Sequence, residues 1–205
     1  MKKKYSIKED FTMLALLIIP IGIALNVIGD QLVSILKLPL YLDSLGTVLT
    51  GLLAGPWVGG LTGVLTNVIT GIIRNPTLIP YAITNGVIGI AAGLFSRYGW
   101  FKRGAWRTVV AVFIMTVVTI GTAAPISVFL FSGISGNGGS SLIIAGLQAA
   151  GSGIWSTVLS VDGATTIADR IVTQIIVMLI IIVIPHRTLI KFSCGEQYIK
   201  KTENQ

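Results

Sequence analysis

The sequence predicts an all-α membrane protein, a bundle of six transmembrane helices with both termini in the cytoplasm. Hydrophobic residues make up 53% of the 205 residues and charged residues 11%, whereas soluble domains carry about 25% charged residues. The apolar residues form blocks of helical length that are separated by short polar breaks. A bilayer core about 30 Å thick needs about 20 apolar residues per helical crossing, and backbone groups inside it must pair within the segment. These blocks are therefore predicted to be membrane-spanning helices.

The predicted spans are bounded by charged residues and by turn residues. The second is short for a full crossing and ends at Gly55-Pro56. An outer segment, residues 132–162, begins with glycine and serine, and its apolar part, residues 142–159, is interpreted as a helix that lies in or caps the site. A seventh span is the alternative for that part. The spans of this single domain, residues 1–205, are residues 11–27, 44–54, 57–73, 78–95, 108–131 and 166–184.

The basic residues predict the orientation of the bundle. With both ends in the cytoplasm, all 15 Lys and Arg residues lie inside except Lys37, Arg74 and Arg170. Short cytoplasmic loops carry an excess of Lys and Arg, whereas a seventh crossing would place the basic C-terminal cluster outside. Contact with anionic lipid headgroups accounts for the net charge of +7, so nucleic acid is not predicted as a partner.

No pattern for catalysis or for a metal site is present in the sequence. The one histidine, His186, follows the last predicted span, and the one cysteine, Cys194, lies in the basic tail. The phosphate-binding pattern G-x-x-x-x-G-K-[ST] does not occur either. We therefore predict no catalytic residue, no metal and no cofactor. Active transport by this chain would take its energy from a partner protein or from an ion gradient.

Small residues form a candidate interface on the first three predicted helices. Glycines that repeat at every fourth position place one smooth stripe on a helix, and such stripes let helices approach closely in lipid. The simplest interpretation is packing within the bundle, and the alternative is a surface for another membrane protein. The residues are Ala15, Gly22, Gly51, Gly55, Gly59 and Gly63.

Polar residues inside the spans and at their outer ends form a candidate binding site. Asn67 and Asn85 lie inside the third and fourth spans, where an amide can bond between helices or read the edge of a heterocycle. Asp43 precedes the second span, and it either caps that helix or accepts a hydrogen bond from a ligand. Asp169 and Arg170 are neighbours in the last span. Because adjacent helical residues point about 100° apart, each is expected to need another partner.

Two further candidates have an interfacial alternative. Arg74 is placed beside the outer polar residues, although it can also extend to lipid headgroups. Trp155 can stack on a ligand or belong to the aromatic belt of the membrane interface. The full set of candidate substrate contacts is Tyr41, Asp43, Asn67, Arg74, Tyr81, Asn85, Gln148, Trp155, Asp162, Asp169 and Arg170.

The stretch from Tyr41 to Asn67, YLDSLGTVLTGLLAGPWVGGLTGVLTN, resembles the substrate-binding S components of energy-coupling factor (ECF) vitamin transporters. The resemblance extends over nearly the whole chain, through the basic N-terminus, the hydrophobic helices, the long outer segment and the basic end. The first helix of these proteins often carries an Ala-x-x-x-Ala patch that docks on the coupling subunit. Here Ala15 is followed four residues later by Ile19, which departs from that patch.

The resemblance implies a function and a set of partners. An S component in the plasma membrane of a bacterium would bind a water-soluble vitamin, a vitamin precursor or a nucleobase- or nucleoside-like compound from outside. It would dock on a membrane coupling protein that carries two cytoplasmic ATPases, and it would topple in the bilayer to release the compound inward. Two alternatives remain open. One is a stand-alone secondary transporter, for which inverted repeats and broken helices are typical, and the other is a membrane sensor or assembly module.

Overall fold

The computed structural model describes residues 7–102, 104–133 and 138–199, and the regular structure in these ranges is entirely helical. Short 3-10 turns lie at Pro76–Leu78, Trp100–Lys102 and Gly195–Tyr198. The α-helices are α1 (Ile7–Asp10), α2 (Met13–Leu36), α3 (Leu45–Ala54), α4 (Pro56–Ile73), α5 (Ala82–Arg97), α6 (Ala105–Phe131), α7 (Gly138–Ala149), α8 (Ile154–Val183) and α9 (His186–Leu189).

Four of these helices, α2, α4, α6 and α8, are long and apolar enough to cross a membrane. They contain 24, 18, 27 and 30 residues, which corresponds to lengths of about 27 to 45 Å. Helix α3 has 10 residues and α5 has 16, and their lengths of about 15 and 24 Å fall short of a hydrocarbon core of about 30 Å. The predicted all-helical bundle is confirmed, and four of its helices are candidate membrane spans. Six crossings and a cytoplasmic location of both termini stay predictions.

Two helices differ clearly from their predicted bounds. Helix α2 continues beyond residue 27 to Leu36, and α8 begins at Ile154 instead of residue 166. The apolar part of the outer segment is therefore not one capping helix. It is divided between α7 and the first turns of α8 by a break at Gly151, whose φ of 89° lies in the left-handed region. Helix α7 has 12 residues, about 18 Å, which is too short for the alternative of a seventh span.

The helices pass up and down, so that both ends of the described chain reach the same end of the bundle. At this end, called the basic end here, Asp10 before α2 forms an ion pair with Arg97 at the end of α5. Also at the basic end, the Ser193 hydroxyl after α8 donates to the carbonyl of Ala54 at 2.8 Å. The opposite end, called the cavity end, includes the C-terminal ends of α2 and α4, at Leu36 and Ile73.

Helix α3 lies at the centre of the bundle, and each of its residues is buried. It contacts α2, α4, α5 and α8. Close approach of backbones makes this possible. A Cβ atom on Gly59 would lie 2.6 Å from the Cα of Gly51 and 2.7 Å from the carbonyl oxygen of Gly89. A Cβ atom on Gly46 would overlap the carbonyl oxygen of Gly22. Such contacts supply in lipid the packing that apolar burial supplies in water.

The rest of the candidate small-residue interface also lies inside the bundle. A Cβ atom on Gly63 would meet the backbone of Asn85, and one on Gly55 would meet the Asp10 carboxylate. Ala15 is 1% exposed and belongs to the main apolar core. Each residue of this candidate interface is buried within the bundle, which favours the interpretation of intramolecular packing.

Candidate functional site

A cavity of about 90 Å³ lies at the cavity end, between helices α4, α5, α6 and α8 and beneath the loop that joins α2 to α3. Its walls combine polar and apolar groups. Seven of the polar residues are sequence-predicted contacts, and whether they bind a ligand stays a prediction. These residues are Tyr41, Asp43, Asn67, Tyr81, Asn85, Asp162 and Arg170.

The structure places the other four predicted contacts outside the cavity lining. Arg74 is partly exposed and forms an ion pair of 2.7 Å with Asp30. The Gln148 amide donates to the carbonyl of Ser132 at 3.2 Å and so ties α7 to the turn that follows α6. Trp155 is 42% exposed, and its ring meets the ring of Phe129 edge-on at 5.6 Å.

Asp169, the fourth of these residues, acts behind the cavity as a clamp. One carboxylate oxygen accepts hydrogen bonds from the backbone N–H groups of Tyr41 at 3.1 Å and Leu42 at 2.7 Å. The other oxygen lies 3.0 Å from Nη2 of Arg170. Leu42 has a φ of 48°, which is unfavourable for a side chain with a Cβ atom. The clamp therefore holds a strained loop over the cavity and also fixes the arginine.

The pairing of Asp169 with its neighbour corrects one sequence expectation. Adjacent residues on a helix do point apart at Cβ, and for this reason separate partners were expected for Asp169 and Arg170. The arginine side chain is long enough to fold back to the carboxylate, however, and both side chains are buried at 0% and 3% exposure. Asp169 does have a further partner, since the loop after α2 supplies the two backbone N–H groups.

Two tyrosines link the loops to the helices around the cavity. The Tyr41 hydroxyl donates to the Asp162 carboxylate at 2.9 Å and so connects the loop after α2 with α8. The Tyr81 hydroxyl lies 2.7 Å from the hydroxyl of Ser127 on α6. Its ring also stacks on Phe131 with a centroid separation of 5.9 Å. These contacts close the rim of the cavity with polar groups.

The two asparagines form a fixed chain between α4 and α5. The Asn85 amide nitrogen donates to the backbone carbonyl of Asp43 at 3.2 Å and to Oδ1 of Asn67 at 2.8 Å. The Asn67 amide nitrogen donates to the carbonyl of Leu78 at 3.3 Å. Because backbone carbonyls only accept, these partners determine the orientation of both amides. The Asn85 Oδ1 atom is buried and accepts no hydrogen bond from any residue that the structure describes.

Arg170 and Thr84 supply the free donors of the site. Arg170 is 4% exposed, and its Nη2 atom pairs with Asp169. Its Nε and Nη1 atoms are buried without a hydrogen-bond partner within the described ranges, and so is the Thr84 hydroxyl. Buried polar groups without a hydrogen-bond partner destabilise a protein, and the cavity is large enough to hold a small molecule that supplies such partners.

Asp43 is the most perturbed acid of the site. It lines the cavity but is otherwise enclosed by protein, and this burial, together with the nearby charge of Asp169, raises the pKa of the Asp43 carboxyl to about 7. The capping interpretation is not supported, because Ser44 is the N-cap residue of α3 and the Asn26 side chain on α2 accepts from the backbone N–H groups of Gly46 at 2.6 Å and Thr47 at 3.3 Å. Asp43 therefore remains available to the cavity.

Sequence reasoning missed several residues of the lining. A usable signal existed on α8, where Asp162, Thr166 and Arg170 follow one another at intervals of four and so share one helix face. For the other residues, single polar side chains in long apolar helices gave no such pattern. The additional polar residues are Asp30, Thr84, Thr119, Ser127 and Thr166, and the apolar ones include Ile88, Ile120, Ala123, Ala124 and Val158.

Helix α7 supports one wall of the cavity from behind. Its fully buried Ile144 packs with Ala124 and Val158, which both line the cavity. Helix α7 therefore borders the predicted site through an apolar contact and not through Gln148, whereas Asp162, at the end of the outer segment, lines the cavity directly. Among the described residues, no group of three or more His, Cys, Asp or Glu side chains is arranged to hold a metal ion.

The family model described as "ECF transporter, substrate-specific component" matches residues 14–181, from the first turn of α2 to the last turn of α8. The chain belongs to this family. The resemblance read from the sequence is thereby confirmed, and the chain is a membrane transport protein of the S-component type. Comparison with curated proteins and with solved structures finds no match.

Proposed function

We propose that this S component captures a small water-soluble compound in the cavity from outside the cell and releases it inward while docked on an ECF coupling module. The observation that carries the proposal is the cavity itself. It is walled by four helices of a chain whose family is defined by substrate specificity, and it contains buried polar atoms without partners. Concave sites with a few convergent polar groups among apolar walls are typical of small-molecule binding.

The distribution of basic residues supports the orientation of this site. Arg97, Arg107 and Arg187 belong to the basic end, because they lie at the end of α5, the start of α6 and the segment after α8. An excess of Lys and Arg marks the cytoplasmic side. The cavity end then faces the outside of the plasma membrane, where a compound can enter directly from the medium.

The energy for uptake is proposed to come from partner proteins. The sequence lacks the phosphate-binding loop of an ATPase. A membrane coupling protein with two cytoplasmic ATPases, as the family implies, would supply this function. A bundle with apolar outer faces on α2, α6 and α8 is compatible with a toppling movement in lipid, since exposed large hydrophobic side chains lie along these three helices.

Uptake measurements in proteoliposomes test the proposal against the secondary-transporter alternative. The compound retained by gently purified protein is first identified by mass spectrometry and then supplied to vesicles. Uptake should require both ATP and the coupling module. Asn85→Ala should abolish uptake, whereas Gln148→Ala, which removes an amide outside the cavity, should leave it intact. Ion-driven uptake by the S component alone would favour the secondary transporter.

A further inference from the structure

The hydrogen-bonding pattern of the cavity defines the chemistry of the compound that it can hold. The acceptor side is formed by Asn85, Asp43 and Asp162. The fixed amide of Asn85 uses its nitrogen on protein carbonyls and leaves only Oδ1 for a ligand. The carboxyl groups of Asp43 and Asp162 line the same cavity. A compound that satisfies these groups must present several N–H or O–H donors to them.

The charges of the lining disfavour an anionic compound. Asp30 is neutralised by Arg74, and Arg170 is neutralised by Asp169. Neither Asp43 nor Asp162 forms an ion pair with a cationic side chain in the described part of the chain. The lining therefore offers no uncompensated positive charge within the described ranges, and an added carboxylate or phosphate would lack a counter-charge in a partly desolvated environment.

The donor side of the cavity is formed by two residues, Arg170 and Thr84, whereas three residues form the acceptor side. The free Nε and Nη1 atoms of Arg170 and the hydroxyl of Thr84 can donate to one acceptor region of the compound. Because Arg170 already pairs with Asp169, it acts here mainly as a rigid hydrogen-bond donor and not as an uncompensated positive charge. A neutral carbonyl oxygen fits this position without adding charge.

The apolar walls indicate a small and flat compound. Ile88, Ile120 and Val158 face the lining from α5, α6 and α8. Branched aliphatic side chains on several sides suit the faces of a ring, while the polar groups contact its edge. The cavity of about 90 Å³ is well below the range of roughly 300–1,000 Å³ that accommodates drug-sized ligands.

We propose that the cavity selects a neutral or cationic nitrogen heterocycle whose edge carries adjacent N–H donors beside one carbonyl, and that it rejects anionic analogues. This inference rests on the proposed function, because it assigns a substrate class to the same cavity. The donors of the heterocycle face Asn85, Asp43 and Asp162, whose carboxylate also accepts from Tyr41, and its carbonyl faces Arg170 and Thr84.

Three one-ring probes test this substrate class by calorimetry on the full chain in nanodiscs. Isocytosine carries an amino group and a ring N–H beside a carbonyl. Uracil has the same ring but replaces the amino group with a carbonyl, and orotate adds a carboxylate to uracil. Isocytosine should bind on the order of tenfold or more tightly than uracil, because uracil leaves buried acceptors unpaired. Orotate should show no saturable binding.

Two variants extend the test. Asp43→Asn replaces an acidic acceptor by an amide, so it should reduce the preference for isocytosine over uracil by on the order of tenfold. Gln148→Ala should retain the wild-type order of affinities, because this side chain lies outside the cavity lining. The inference is overturned if uracil or orotate binds as tightly as isocytosine, if none of the probes binds, or if the two variants act alike.

The two proposals fail in different ways. ATP-driven, Asn85-dependent uptake of an anionic compound, or of one without N–H donors, would retain the proposed function and overturn the substrate class. The predicted order of probe affinities without any ATP-dependent uptake in the presence of the coupling module would retain the substrate class and overturn the proposed function.

Discussion

The Asp169 clamp gives a sharp prediction, because the same bundle contains a matched ion pair at its surface. Asp169→Ala removes one partner of a buried pair whose side chains are 0% and 3% exposed. It also leaves the backbone N–H groups of Tyr41 and Leu42 without their acceptor. Asp30→Ala removes the equivalent partner from a pair whose side chains are 37% and 34% exposed.

The burial of the two pairs determines the expected magnitudes. Removing one partner of a buried ion pair costs about 3–5 kcal/mol, because the remaining charge is left without compensation. Exposed pairs contribute about 0–1 kcal/mol. For a chain of this length, 1 kcal/mol shifts the melting temperature by roughly 2–4 °C. Asp169→Ala should therefore lower the melting temperature by on the order of 10 °C, and Asp30→Ala by less than about 4 °C.

Cys194 provides the readout for this comparison. It is the one cysteine of the chain and is 8% exposed in the folded protein. A thiol-reactive fluorophore in detergent therefore reports unfolding as the temperature rises. Asp169→Asn should fall between wild type and Asp169→Ala, since the remaining oxygen can still accept from the loop. Equal shifts for Asp169→Ala and Asp30→Ala would refute the assigned role of the clamp.

The remaining predictions concern helix packing, pH and the basic end. Gly46→Ala should destabilise the fold by about 1–3 kcal/mol or more, because the added methyl group meets the backbone of α2. Gly121→Ala is the control, since its methyl group enters open space and should be neutral or stabilising by up to about 1 kcal/mol. Comparable losses of stability for the two variants in thermal unfolding would contradict the close α2–α3 crossing. The pKa of Asp43 is raised to about 7, so the folded protein binds the carboxyl proton more tightly than the unfolded chain does. The stability that this proton contributes is complete below the ordinary pKa of 3.8 and is lost as the pH rises through 7. Wild type should therefore lose stability relative to Asp43→Asn between about pH 4 and 8, by on the order of a few kcal/mol. A difference in the free energy of unfolding between the two proteins that does not change with pH would contradict the raised pKa. The Cys194 thiol should react slowly with maleimide at neutral pH in the folded protein, because burial raises its pKa; rapid labelling before unfolding would contradict the packing of the tail on α3.

The sequence predicted best those parts of the fold that a strong local signal controls. Residues 44–54 and 57–73 match α3 and α4 to within one residue, because Gly55-Pro56 permits only a break between helices at that point. The start of α8 was placed too late, since the polar residues from Asp162 onward resemble the beginning of a helix. They are instead the cavity-facing side of a helix that starts at Ile154.

The candidate site was predictable only in part, because side-chain partners depend on tertiary packing. Polarity inside a span drew attention to Asn67 and Asn85, and the structure places both in the cavity lining. Polarity alone did not show that Gln148 bonds to the turn after α6, since the direction of α7 is set by its packing on α8. The ion pair of Asp169 depends on the reach of the arginine side chain, which residue spacing does not describe.

The most direct test of the central claim, that this cavity is the substrate site, is mass spectrometry of the small molecules retained by gently purified protein. Wild type and Gln148→Ala should each retain the same compound in near-stoichiometric amount. Asn85→Ala, shown to be folded by its thermal unfolding curve, should retain little or none of it. Equal retention by Asn85→Ala and wild type would contradict the claim, because the compound would then be bound elsewhere in the protein.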